Sequence, residues 1–224
     1  AGFPFDPDAV YMSEDNLAIQ QSKIEAHQAA GRSTIDQLGH WYVKANATEC
    51  AEVDDDAYYD GAQTTRAIEI LEELKSGDIP FFLSVGYYRP HLPFNAPKPY
   101  WDLYKKENIP LAGNQFVPEG SLAYLVHGDA ELRSYTDCGD LPLPSEGPWD
   151  EHRQREIIHG YYASVSYTDA QIGRLLDALD RRKRGEYAAA LLFCLICKFY
   201  LAFPLGALGG LLLLRGPRRW GWRP

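Results

Sequence analysis

The chain has 224 residues, 46% hydrophobic, 24% charged and 13% aromatic, which excludes a disordered or fibrous protein and allows one folded core with an appendage. The net charge of −9 is unevenly placed: residues 181–224 carry nine basic side chains and one acid, Glu186, so the tail is +8 and residues 1–180 are −17. Such an acidic body excludes the clustered Lys and Arg face that nucleic acid requires, and no nucleic-acid partner is expected.

In chain order, Ala1-Gly2-Phe3-Pro4 holds no initiator Met, no charged n-region and no apolar h-region. The sequence is therefore expected to start inside a longer protein or after processing, without a signal peptide. A turn at Asp6-Pro7-Asp8 leads to a helix that Ser13 can cap, with Glu14 and Asp15 in its first turn, where the helix dipole favours acids. It is expected to end at Gly31. Asn46-Ala47-Thr48 fits the N-glycosylation tripeptide, which has meaning only in a protein secreted from a eukaryotic cell. Asp54-Asp55-Asp56 invites comparison with a metal cluster, but three consecutive carboxylates point in different directions and are expected to form a solvated turn. No metal site is assigned to the chain.

A second helix is predicted over Gln63–Lys75, with Ala67, Ile68, Leu71 and Leu74 on one face and Gly77 just past its end. The apolar run Ile79–Val85, bounded by Gly77-Asp78 and Gly86, predicts a strand buried on both faces of a parallel sheet. Helix, short turn and buried strand make an α/β unit. Residues 89–150 are broken by nine prolines and read as loops and short elements, kept ordered by Trp101, Tyr104, Phe116 and Tyr124. A third helix is predicted over Glu151–Asp180, with Ile157, Tyr161, Val165, Thr168, Ile172, Leu175 or Leu176, and Leu179 at steps of three and four.

From Tyr187 to Leu214 the only charge is Lys198, and basic residues flank the run on both sides. Its length suits a membrane span, whereas Lys198, Pro204 and the glycines oppose one, so the tail is either a membrane anchor or the product of a reading-frame error. The four cysteines, Cys50, Cys138, Cys194 and Cys197, are too sparse for a disulfide scaffold. Cys194-Leu-Ile-Cys197 has no second Cys/His pair to complete a zinc spacing and is expected to be apolar filler.

The densest local chemistry is Val85-Gly86-Tyr87-Tyr88-Arg89-Pro90-His91-Leu92-Pro93-Phe94. Ligands of open α/β sheets bind beyond the carboxyl ends of strands, which places Arg89 and His91 where a site is expected. Both can donate hydrogen bonds to an anion, His91 when protonated. Local chemistry alone leaves a structural His in a Pro-rich turn equally open.

The stretch from Ile79 to Tyr104 is similar to the type I sulfatases, in their iduronate-2-sulfatase-like branch, with Pro-Phe-Phe-Leu-Ala-Val-Gly-Tyr followed by Lys/Arg-Pro-His-Ile/Leu-Pro-Phe. Tyr161-Tyr162-Ala163-Ser164-Val165-Ser166-Tyr167-Thr168-Asp169, continuing to Leu176, resembles the helix before that family's second metal-binding strand. The resemblance implies an alkaline-phosphatase-like α/β/α sandwich, here incomplete and followed by a hydrophobic tail foreign to the family. It implies a calcium-dependent hydrolase removing sulfate from a sulfated saccharide in an extracytoplasmic compartment. A formylglycine made from Cys or Ser in Cys/Ser-x-Pro-x-Arg would attack sulfur. It also implies that His91 is catalytic and faces the sulfate, with Arg89 and His91 as substrate-binding residues.

The departures are specific. The 224 residues contain no Cys/Ser-x-Pro-x-Arg and no Asp-His-Gly, so the nucleophile and the calcium ligands are not in this chain. Residues 1–180 are accordingly expected to be part of a catalytic domain, inactive alone, with 181–224 as the tail. The competing expectation is a non-catalytic, membrane-tethered saccharide-binding or scaffolding protein anchored through residues 187–214.

Overall fold

A computed structural model describes residues 10–34, 43–75, 81–122 and 128–180. Phe81–Tyr87 belongs to one compact unit and the other described residues to another. In the larger unit, helix α1 (Glu14–Ala29) precedes strand β1 (Thr48–Ala51), a 3₁₀ turn (Asp55–Ala57) and helix α2 (Tyr59–Lys75). Strand β2 (Phe94–Pro97) runs straight into the short helix α3 (Lys98–Trp101). A second 3₁₀ turn (Lys106–Asn108), the short α4 (Ala130–Arg133) and the 30-residue α5 (Glu151–Asp180) complete it.

β1 and β2 pair in parallel, Thr48 beside Phe94 and Ala51 beside Pro97. Helix α2 lies between them in sequence, so the unit is α/β, as expected. Of the buried strand expected over Ile79–Val85, Ile79 and Pro80 lie outside the described residues; Phe81–Val85 is extended without forming a regular strand, and Phe82 is 64% exposed, so the described part is not buried on both faces. Among the described residues the only ladder is β1–β2.

Helix α1 starts where its sequence predicts: the Ser13 hydroxyl accepts from Asn16 N, and Glu14 and Asp15 occupy the first turn. It ends two residues before Gly31, which adopts φ +64°. α2 begins four residues earlier than predicted, because Tyr59-Asp60-Gly61-Ala62 reads as a turn until its partners are known. Its expected face is found, with Ala67 and Leu71 buried and Ile68 and Leu74 half-buried.

α5 has the predicted bounds, and Thr168 and Leu175 of its expected face are buried, but the first half of the face is set by other residues. Ala163, Tyr167 and Leu175 are buried, while Tyr161, Val165 and Leu176 stay more than 40% exposed. Small residues decide this. A Cβ on Gly160 would lie 2.9 Å from Thr48 Cγ2 and 3.0 Å from Phe94 Cβ, so glycine lets the helix close on both strands. Ala51, Ala96, Ala163, Tyr58, Trp101 and Tyr167 form the core beneath it. The Tyr167 hydroxyl accepts from Gly61 N at 2.7 Å and donates to Asp55 O at 2.8 Å, stapling α5 to the start of α2.

The Asp54–Asp56 segment is a turn as expected, but solvated only in part. Asp55 Oδ2 accepts from Tyr100 Oη and Gln171 Nε2, both at 2.7 Å, and Asp56 Oδ1 accepts from Arg174 at 2.8 Å. A smaller cluster gathers Ala47, Tyr135 and Cys138, whose thiol is pushed up to about 11 by burial. Residues 181–224, with Cys194, Cys197 and the apolar run 187–214, lie outside the described residues. Among the described residues no helix is long and apolar enough to cross a membrane.

The polar centre of the fold is Glu49, 4% exposed on β1. Its carboxylate accepts from Met12 N (2.7 Å), Ser13 N (3.0 Å), Ser13 Oγ (2.5 Å), Asn16 Nδ2 (2.9 Å) and Tyr58 Oη (2.6 Å). Five donors compensate a charge that would otherwise be expensive to bury, and they tie α1 to the sheet. Glu49→Ala would leave those donors without an acceptor and is expected to lower stability by about 3 kcal/mol in urea unfolding. Native-state hydrogen exchange should show α1 released first. A loss under ~0.5 kcal/mol would mean that α1 is held by other contacts.

Candidate functional site

Arg89 and His91 sit on one turn, Tyr88–Pro93, immediately before β2. The turn closes through His91 N donating to Tyr88 O at 3.0 Å, and it is pinned on three sides. From α2, Asp60 Oδ1 accepts from Tyr88 N and Oδ2 from Arg89 N, each at 2.8 Å. From α5, the Thr168 hydroxyl donates to Arg89 O at 3.3 Å. Arg89 Nε donates to Asn95 O on β2 at 3.1 Å.

The two predicted site residues are placed differently. Arg89 is 6% exposed, its guanidinium lying 5.2 Å from the Tyr88 ring centroid. Burial pushes the Asp60 carboxyl up, while the Arg89 guanidinium and then the two backbone N–H groups pull it back down. The Arg89 charge therefore works mainly inside the protein, against Asp60.

His91 keeps 47% of its side chain exposed and leans on the other target of Arg89, the Tyr88 ring, at 5.0 Å between centroids. Its Nδ1 is 2.9 Å from Leu92 O, and because a carbonyl only accepts, that contact places the proton on Nδ1. The neutral ring then presents a bare Nε2, and only the imidazolium presents Nε2–H. Glu131 of α4 faces this nitrogen, Oε2 lying 3.7 Å away, and Lys44 lies 4.0 Å from the other oxygen of Glu131. The arrangement offers an anion one exposed, rotationally fixed donor when Nε2 carries a proton.

Sequence reasoning missed Asp60, Asn95 and Glu131. Asp60 carries a signal, an acid in the first turn of a helix, but the predicted helix began after it. Asn95 and Glu131 carry none, being polar residues in Pro-rich or loop-like sequence. Among the described residues no group of three His, Cys, Asp or Glu side chains could hold a metal ion. The carboxylates of Asp55 and Asp56 are committed to Tyr100, Gln171, Thr65 and Arg174.

Residues 11–190 match the family model described as Sulfatase. Iduronate 2-sulfatase of Homo sapiens is 45% identical over 123 residues, 54% of this chain and 22% of that protein. Iduronate 2-sulfatase of Mus musculus is 41% identical over 134 residues, 59% of this chain and 24% of that protein. The "Multifunctional alkaline phosphatase superfamily protein PehA" of Trinickia caryophylli is 61% identical over 107 residues, 45% of this chain and 20% of that protein. The chain thus spans about a quarter or less of the length of these relatives.

The two central histidines should differ in reactivity. His159 Nε2 is 2.8 Å from Trp101 O and its ring packs edge-on against Trp101, whereas the exposed Nε2 of His91 is open to reagent. Diethyl pyrocarbonate followed by peptide mapping should therefore modify His91 before His159. Equal rates, or the reverse order, would mean that the His91 turn is not presented as described.

Proposed function

This chain belongs to the sulfatase family, and we propose that it is part of an enzyme that hydrolyses sulfate esters, with His91 as the residue of this segment that faces the sulfate. The reading rests on one observation: a turn held by Asp60, Asn95 and Thr168 leaves the His91 ring exposed with Nδ1 committed to Leu92 O. The alkaline-phosphatase-like α/β fold goes with the family. The substrate is a sulfated saccharide of the iduronate-2-sulfatase-like kind, supported by the identity to the human and mouse proteins of that name. An extracytoplasmic location, periplasmic, secreted or lysosomal, accompanies this reading.

In this account His91 donates Nε2–H to a sulfate oxygen. A preorganised donor is worth more as negative charge builds in the transition state than in the ground state, so its effect appears in kcat. Arg89 contributes from behind, its charge balancing Asp60 and its side chain bracing Tyr88. The formylglycine nucleophile and the calcium ion belong to the same proposal, but the described residues supply neither, and no step is routed through them. This chain by itself is expected to show no calcium-dependent turnover of an aryl sulfate.

The test is kinetic and uses a complete sulfatase carrying this segment. His91→Ala should lower kcat by ~10²–10³-fold, the loss that follows removal of one preorganised donor, and leave the melting temperature nearly unchanged. A structural His would do the reverse, so unchanged kcat with several degrees of lost stability would overturn the assignment.

A further inference from the structure

We propose that Asp60 is the positioning residue of the His91 turn, its buried carboxylate bridging the Tyr88 and Arg89 amides to fix the conformation in which His91 meets the sulfate group. This rests on the reading of His91 as the sulfate donor, and it extends that role to a residue that no motif in the chain singles out.

The geometry has three parts. Asp60 is 1% exposed, and its two oxygens are used on consecutive amides, 2.8 Å each, 28 and 29 residues further along the chain. Two bonds from one planar group to neighbouring peptide units fix the orientation of both. From Arg89 the chain passes through Pro90, whose ring restricts φ, to His91, and His91 N returns to Tyr88 O at 3.0 Å. The imidazole is thus a short, stiff path from the carboxylate.

Asp60 is itself immobilised. The Thr64 hydroxyl donates to its carbonyl at 2.8 Å, and the next residue, Gly61, donates its N–H to the Tyr167 hydroxyl of α5. A Cβ at Gly61 would lie 2.0 Å from Asp55 O, so glycine alone lets α2 start this close to the preceding turn. The charge is compensated as well, because the buried guanidinium of Arg89 acts on the carboxylate beside the two amides. An acid serving only the helix dipole would need neither burial nor distant amides, since surface acids in a first helical turn perform that task.

The test uses the isotope-labelled chain and inorganic sulfate as the probe. In the unsubstituted chain the Tyr88 and Arg89 amides should exchange with solvent at least tenfold more slowly than unstructured amides, and sulfate should shift the His91 ring resonances saturably. Free exchange at both amides would overturn the proposal without recourse to a variant. Asp60→Asn keeps the shape but replaces one acceptor with a donor and removes the charge. It should abolish the protection and weaken sulfate binding about tenfold or more, the factor carried by one charge-assisted hydrogen bond. His91→Ala should abolish sulfate binding while leaving the Tyr88 and Arg89 amides protected. If Asp60→Asn loses protection yet binds sulfate as before, Asp60 is structural and the proposal fails, while the His91 reading stands. If sulfate leaves the His91 ring unmoved, or binds equally to His91→Ala, the His91 reading fails and the positioning role fails with it.

Discussion

The register of the β1–β2 pair is the constraint on which the rest of the larger unit depends. It sets Glu49 beside Asn95, two buried polar residues with opposite duties. Glu49 gathers the start of α1 and the Tyr58 hydroxyl, whereas the Asn95 carbonyl takes Arg89 Nε and so anchors the turn that carries His91. A slip of β1 by one residue would turn Glu49 to the other face of the sheet. α1 would lose its acceptor, and α5 would lose the pairing of Thr48 with Phe94 against which Gly160 lets it pack.

Two buried carboxylates then divide the work between stability and site. Glu49 is surrounded by donors from the α1 end and from Tyr58, and burial followed by the Glu49 charge drives the Tyr58 phenol well above its usual range, so it stays a donor. Asp60 binds no side-chain donor through its carboxylate in the geometry described, only the two amides of the turn, with Arg89 as its counter-charge. Residues 1–180 are strongly acidic, yet these two acids matter for position and not for field strength. Removing either leaves donors facing nothing, a penalty of about 1–3 kcal/mol per buried group.

Local signals were legible in the sequence, and long-range ones were not. Ser13 with Glu14 and Asp15 marks the start of α1, and the steps of three and four mark α5 from Glu151 to Asp180. The motif around His91 was visible as a pair of prolines about a ring. Along α5, Thr168 and Leu175 are buried as expected, but Tyr161 and Val165 are not, because large apolar residues suggest burial while the small residues Gly160, Ala163 and Ser164 actually permit contact. The described part of the run Ile79–Val85 shows the same limit: hydrophobicity records a preference for burial, yet Phe82 stays 64% exposed. Glu49 and Asp60 were invisible as buried residues, since an acidic side chain in sequence announces a surface until its donors, dozens of residues away, are known.

The central claim is that this segment presents His91 Nε2 to a sulfate group from a turn fixed by its neighbours. A crystal structure of a sulfatase carrying the segment, with an unreactive sulfate ester bound, tests it most directly. The account predicts a sulfate oxygen ~2.7–3.2 Å from His91 Nε2, with Nδ1 still on Leu92 O and the Asp60 oxygens still on the Tyr88 and Arg89 amides. A sulfate bound elsewhere, with His91 Nε2 turned to Glu131 or to solvent, would contradict it.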